Sequence, residues 1–120
     1  WPKNPNDSFE KMQEDYKELL QFYKDLHFNA VVVQVRTAGD ALYPSDLAPW
    51  SKYLSGKEGM PPKTDLDPLA WLVETTHAYG MDFHAWINPY RATMSLNSEE
   101  RSKEHDFYTH RQWLIPYGAI

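Results

Sequence analysis

"HAWINPYR", residues 84–91, is the stretch on which the fold reading depends. It completes a run that begins at Met81 with "MDF". Side chains alternate across a β-strand, so Phe83, Ala85 and Ile87 share one face and His84, Trp86 and Asn88 the other. One face stays apolar to the end. The other finishes on an imidazole, an indole and an amide before Pro89 breaks the pattern and Arg91 follows. "NAVVVQVR", residues 29–36, repeats the arrangement, with Val31, Val33 and Val35 on one face and Val32, Gln34 and Arg36 on the other. Its nearly continuous β-branched run suits a parallel strand covered on both sides. Both strands therefore turn polar on one face at their C-terminal ends.

The segments around these strands read as helices. Phe9, Met12, Tyr16, Leu19, Leu20, Tyr23 and Leu26 step mostly by three or four, which predicts one buried helical face over 8–27. Asp7 is the expected N-cap, with Glu10 at capping-box spacing. Asp67 and Pro68 predict a second helix over 67–79, with Asp as N-cap and Pro at the first helical position. Its buried stripe is Leu69, Leu72, Val73 and Thr76, and Gly80 occupies the place of a left-handed C-cap glycine. Residues 1–7 read as a loop. Residues 37–66 contain no long periodic segment, although "DLAPWSKYL" (46–54) can form a helical turn. A helix is expected over 98–108, and "RQWLIPYGAI" (111–120) reads as a turn leading to another strand.

Alternating helices and strands imply an α/β fold with parallel strands and right-handed helical crossovers. In such sheets the sites lie beyond the C-terminal strand ends. A flat doubly wound sheet would bury the polar strand faces under helices. A barrel would direct them into the mouth of its lumen, and the pattern favours part of a (β/α)8 TIM barrel over a flavodoxin-like sheet.

The 120 residues suffice for a single domain, and 42% are apolar. A net charge of −5 argues against a nucleic-acid partner, and the basic residues of "EERSKEHD" are interrupted by acids. No apolar run is long enough for a transmembrane span. Cysteine is absent, which excludes disulfides and thiolate metal sites. Five Trp, eight Tyr and five Phe supply flat rings suited either to core packing or to stacking on sugars.

"QVR" (34–36), "GDALYPS" (39–45), "PWS" (49–51) and "HAWINPYR" are long, ordered motifs, and together the chain resembles the glycosyl hydrolase-like 10 family, also known as domain of unknown function 187. The resemblance implies a bacterial cell-envelope or secreted protein, often a lipoprotein, with a (β/α)8 catalytic domain of which this chain is the N-terminal segment. A whole barrel takes roughly 250 residues. The family's acidic motif at the fourth strand end would lie beyond Ile120. The chain departs from the family pattern at His27, where a glycine is usual. His27 must then adopt a left-handed conformation or a different cap.

Glycoside hydrolysis uses two carboxyl groups flanking the scissile bond. Within the chain the candidates are Asp40 and Asp46, of which Asp40 follows the first strand end. Asp40 could position a sugar hydroxyl or simply shape the turn after Gly39, so it is only a weak catalytic candidate. Arg36 could fork onto a carboxylate of an enzyme acid or of the substrate, or form a structural ion pair. Gln34, Arg36, Asp40, Tyr43, His84, Trp86, Asn88, Tyr90 and Arg91 are the expected substrate-binding set, with Trp50 a further candidate ring. The strand-end members, Gln34, Arg36, His84, Trp86 and Asn88, are expected to converge in one pocket. His105 and His110 are five apart, off the i, i+4 spacing of helical metal ligands, and no metal is assigned. No phosphate loop or other cofactor motif is present, and no cofactor is assigned.

Two functions follow from the resemblance: part of a glycoside hydrolase acting on cell-wall glycan or another polysaccharide, or a carbohydrate-binding domain without hydrolysis. The chain alone is expected to lack hydrolase activity. The sequence assigns no oligomeric state.

Overall fold

The structure, a computed structural model, describes residues 1–93 and 101–115. Helix α1 spans Phe9–Asp25, strand β1 Ala30–Arg36, helix α2 Pro68–Ala78, strand β2 Asp82–Ile87 and the short helix α3 Asp106–Thr109, with single 3-10 turns at Lys52–Leu54 and Arg111–Trp113. No described helix is long and apolar enough to cross a membrane.

The N-cap of α1 is Ser8, not Asp7: extended Ser8 accepts the Lys11 N–H at 3.2 Å, while Asp7 accepts from the Asn4 amide at 3.1 Å. The shift makes Phe9 the first helical residue and buries it. Phe9, Met12, Tyr16 and Leu20 form the buried stripe. Tyr23 and Leu26, expected to continue it, are exposed; Tyr23 packs edge-on against Phe22 and Phe28. The chain then reverses through His27 at φ 64, the left-handed conformation its position requires. Helix α2 forms as its sequence predicts. Asp67 accepts from the N–H groups of Leu69 and Ala70, Pro68 opens the helix, and Gly80 follows it at φ 75.

β1 and β2 pair in parallel, Ala30 beside Asp82 through Gln34 beside Trp86. α1 and α2 both lie on the Val33–Val35 face, where Tyr16, Leu20, Val33, Val35, Leu72 and Met81 form one core cluster. The two helices are also joined by hydroxyls. Thr76 donates to the Leu72 carbonyl at 2.7 Å, so Tyr16 donates to Thr76 Oγ1 at 2.6 Å. Trp1 caps this region, donating to the Met12 carbonyl at 2.6 Å and stacking on Trp71.

The long connection 37–66 is packed. Ala41 and Trp50 form an isolated parallel bridge, and Leu42 and Leu54 build a second core cluster with Phe9 and Met12. The helix expected over 98–108 is confined, among described residues, to the single turn of α3; residues 101–105 are not helical. The expected final strand reaches into 116–120, outside the described residues.

Candidate functional site

A β-bulge sets the geometry at the strand ends. The register slips between Gln34 and Arg36, so Arg36 lies beside Ile87 and Val35 is the extra residue. A bulge re-aims the side chain that follows it. The Val35 carbonyl turns to accept Leu42 N–H at 3.0 Å, and the Arg36 carbonyl accepts Asn88 N–H at 2.9 Å. Both ends of the Asn88 amide are engaged: its Oδ1 accepts from Trp86 Nε1 at 2.8 Å and its Nδ2 donates to the Thr37 carbonyl at 3.1 Å.

Beyond β1 the chain turns at Gly39, φ 72, with the Asp40 carboxylate accepting Ala38 N–H at 3.0 Å. The buried His105 ring lies so close over Gly39 that a Cβ there would sit 2.6 Å from it. His105 donates from Nε2 to the Ala38 carbonyl at 2.7 Å and accepts Phe107 N–H at Nδ1 at 2.9 Å, which caps α3. This clamp brings Asp106 to 3.8 Å from the Arg36 guanidinium. The other Asp106 oxygen is 3.1 Å from His110 Nδ1, and the His110 ring stacks on Trp113 with centroids 3.7 Å apart.

These groups border a cavity of about 400 Å³ at the C-terminal ends of both strands, lined by Arg36, Asn88, Tyr90, Arg91, Asp106 and His110, with Trp113 and the Gly39–His105 contact completing it. That volume suits a small-molecule or monosaccharide-sized group. Among the described residues no cluster of three or more His, Asp or Glu is close enough to hold a metal ion.

The expected binding residues do not all meet here. Arg36, Asn88, Tyr90 and Arg91 do. Gln34 and Trp86 instead border a groove of about 320 Å³ beside β1, with Trp1, Tyr16 and Tyr23; the Trp86–Asn88 hydrogen bond links the two spaces. The expected convergence of the strand-end set is therefore split, because the bulge separates Arg36 from the alternation that holds Gln34. His84 is exposed and lines neither space. Tyr43 packs against the first core cluster and Trp50 against the second. Asp40 is buried at the turn, and Asp46 is exposed.

The sequence reading missed Asp106, His110 and Trp113 as site residues. Their signal was present: the spacing that separates His105 from His110 by five places Asp106 four before His110, on one side of a helical turn. Glu58 was missed too. It accepts the Ser102 N–H, and burial pushes its carboxyl above the ordinary range; the Ser102 bond and His105 oppose the shift, while Asp40 adds to it.

The whole chain, residues 1–120, matches the family described as Glycosyl hydrolase-like 10. The chain belongs to the glycosyl hydrolase-like 10 family. It is 40% identical to the glycosyl hydrolase YngK of Bacillus subtilis (strain 168) over 98% of its length, covering 23% of that protein. It is 34% identical over 96% of its length to the glycosyl hydrolases DigH of Escherichia coli (strain K12) and Shigella flexneri, covering 28% of each. The chain thus spans about a quarter of the length of these relatives. Membership suggests a glycosidase-like role and carbohydrate as the class of ligand.

Proposed function

We propose that this chain is the N-terminal segment of a (β/α)8 barrel in an envelope or secreted glycoside hydrolase, and that it positions the glycan while the main catalytic carboxylates come from later strands. The observation that carries the reading is the cavity at the C-terminal ends of β1 and β2, where barrel enzymes bind their substrates. The barrel is supported by the placement of α1 and α2 on one sheet face, while Val32 and Trp86 on the other are 65% and 51% exposed. Closure into a barrel with right-handed crossovers would cover that face and the groove beside β1. The envelope location and lipid anchorage rest on the family resemblance, and fractionation of cells producing the tagged full-length protein tests them.

Within the cavity Asp106 is the single carboxylate among the described lining residues. A glycosidase pair needs a second. That observation also favours the alternative of a binding domain without hydrolysis, and one comparison decides between them. The full-length protein and the 120-residue chain are assayed against peptidoglycan glycan strands and a panel of aryl glycosides. Turnover by the full-length protein alone is the expected result. Binding without turnover by either supports the binding domain. Equal turnover by the chain would place the catalytic acids within it and sink the proposal.

A further inference from the structure

We propose that His110 contacts the saccharide as a hydrogen-bond acceptor at Nε2, with Asp106 the positioning residue that fixes its tautomer. The inference rests on the reading of this cavity as a glycan site and goes beyond it by assigning a role to a histidine and an aspartate outside the strand-end motifs.

The tautomer follows from the partners. An ionised carboxylate only accepts. Asp106 Oδ1 lies 3.1 Å from His110 Nδ1, so the proton sits on Nδ1. Thr109 Oγ1, 3.0 Å from the same nitrogen, accepts alongside it. In the neutral ring Nε2 then carries a lone pair, and it makes no hydrogen bond among the described residues. Stacking on Trp113 at an interplanar angle of 11° holds the plane of the ring. Asp106 is itself faced by Arg36 at 3.8 Å.

The neighbouring His105 shows the contrast. Its Nε2 donates to Ala38 and its Nδ1 accepts from Phe107, so it is the opposite tautomer with both nitrogens used. It is 1% exposed, whereas the His110 side chain is 38% exposed. One histidine builds the wall and the other presents a free acceptor.

The chemistry of the remaining lining explains why an acceptor matters. Arg36 and Arg91 can only donate, both polar ends of Asn88 are already bonded within the protein, and the two oxygens of Asp106 are turned to His110 and Arg36. A sugar hydroxyl both donates and accepts. The guanidinium groups can satisfy its oxygen, and His110 Nε2 can take the proton of the same or a neighbouring hydroxyl. A ligand without a hydrogen-bond donor gains nothing from this nitrogen, so His110 favours donor-bearing ligands, of which polyhydroxylated sugars are one class.

The test uses the full-length protein with ¹⁵N-labelled histidine. Long-range ¹H–¹⁵N correlation is expected to show His110 as the Nδ1–H tautomer, and Asp106→Asn to shift it towards Nε2–H. Glycan-strand binding is then measured by titration calorimetry. His110→Phe keeps the stack on Trp113 and removes the acceptor; its affinity should fall by about tenfold, the scale of one hydrogen bond. His110→Gln, which restores an acceptor oxygen, should recover part of the loss, which a purely structural role would not produce. Unchanged melting temperatures guard against misfolding. An Nε2–H or doubly protonated ring at rest, or wild-type affinity in His110→Phe, overturns the inference and leaves the function reading standing. Failure of the wild-type protein to bind any saccharide overturns both.

Discussion

The two faces of β1 are built from similar residues and meet different fates. Val33 and Val35 are 9% and 1% exposed beneath Tyr16, Leu20 and Leu72, while Val32, one residue away on the same strand, is 65% exposed. β2 does not repeat the contrast: from His84 onward its residues on both faces are exposed, Ile87 and Trp86 alike. Alternation decides which residues share a face. Whether the face is covered depends on distant segments, and here α1 and α2 both settle on one side.

The contrast predicts where the chain is fragile. Leu72→Ala removes a side chain with no exposed surface from the centre of the covered face, and should cost about 2–5 kcal/mol in urea unfolding. A loss below about 1 kcal/mol would mean that the helix-covered side is packed more loosely than its burial implies.

Gly39→Ala probes the edge between the covered strand and the cavity. A left-handed backbone penalises any Cβ, and this one would meet the His105 ring at 2.6 Å. Strain and overpacking together should cost about 2–4 kcal/mol. The ring must move, so the His105 bond to Ala38 should be lost, visible as a change in its ¹⁵N shifts. A variant with wild-type stability and His105 shifts would show that the clamp does not hold the loop.

Much of this was legible in advance, for physical reasons that stop at a definite point. The α2 boundaries were readable because Asp67, Pro68 and Gly80 each act locally on the backbone. The parallel pairing was readable from the alternation of elements. Ser8 in place of Asp7 was not, since both residues can cap and the choice is made by where Phe9 is buried. The bulge at Val35 was also hidden: a valine run gives no local signal for an extra residue, and the slip becomes favourable only when Leu42 takes the freed carbonyl. That one slip is why Arg36 parts from Gln34, and why the expected pocket is divided. Asp106 and His110 come from a segment whose position depends on a histidine meeting a glycine 66 residues earlier.

Trp86→Ala tests the bare face. In the 120-residue chain the indole is half exposed, and its removal should cost about 1 kcal/mol or less. In the full-length protein the proposed closure buries it, and the same change should approach the 3–5 kcal/mol typical of a deleted core aromatic, about as large as the covered-face effect. Hydrogen exchange of the β2 amides in both forms measures the difference. Equal, small effects in the two would break the expectation that later strands cover this side.

The smallest effect belongs to a group that is neither covered nor bare. Glu58 is partly buried beside Asp40 and His105, and burial is the largest cause holding its carboxyl above the ordinary value, with the Ser102 N–H pulling the other way. The folded chain therefore holds this proton at pH values where the unfolded chain, titrating at about 4.3, has released it. The associated stability is fully present below that ordinary value and is lost as pH rises through the raised one. At neutral pH the ionised carboxylate carries the cost of burial and the repulsion of Asp40. Glu58→Gln removes both and keeps an oxygen to accept from Ser102. The variant should melt slightly above the wild type at pH 7, and the gain should shrink to nothing as the pH falls to about 4. Thermal unfolding of the two proteins between pH 4 and 8 checks this. A variant that melts lower at pH 7 would mean that the charged bond to Ser102 outweighs burial, and that Glu58 ties residues 101–105, and with them His105, to the loop beneath the cavity.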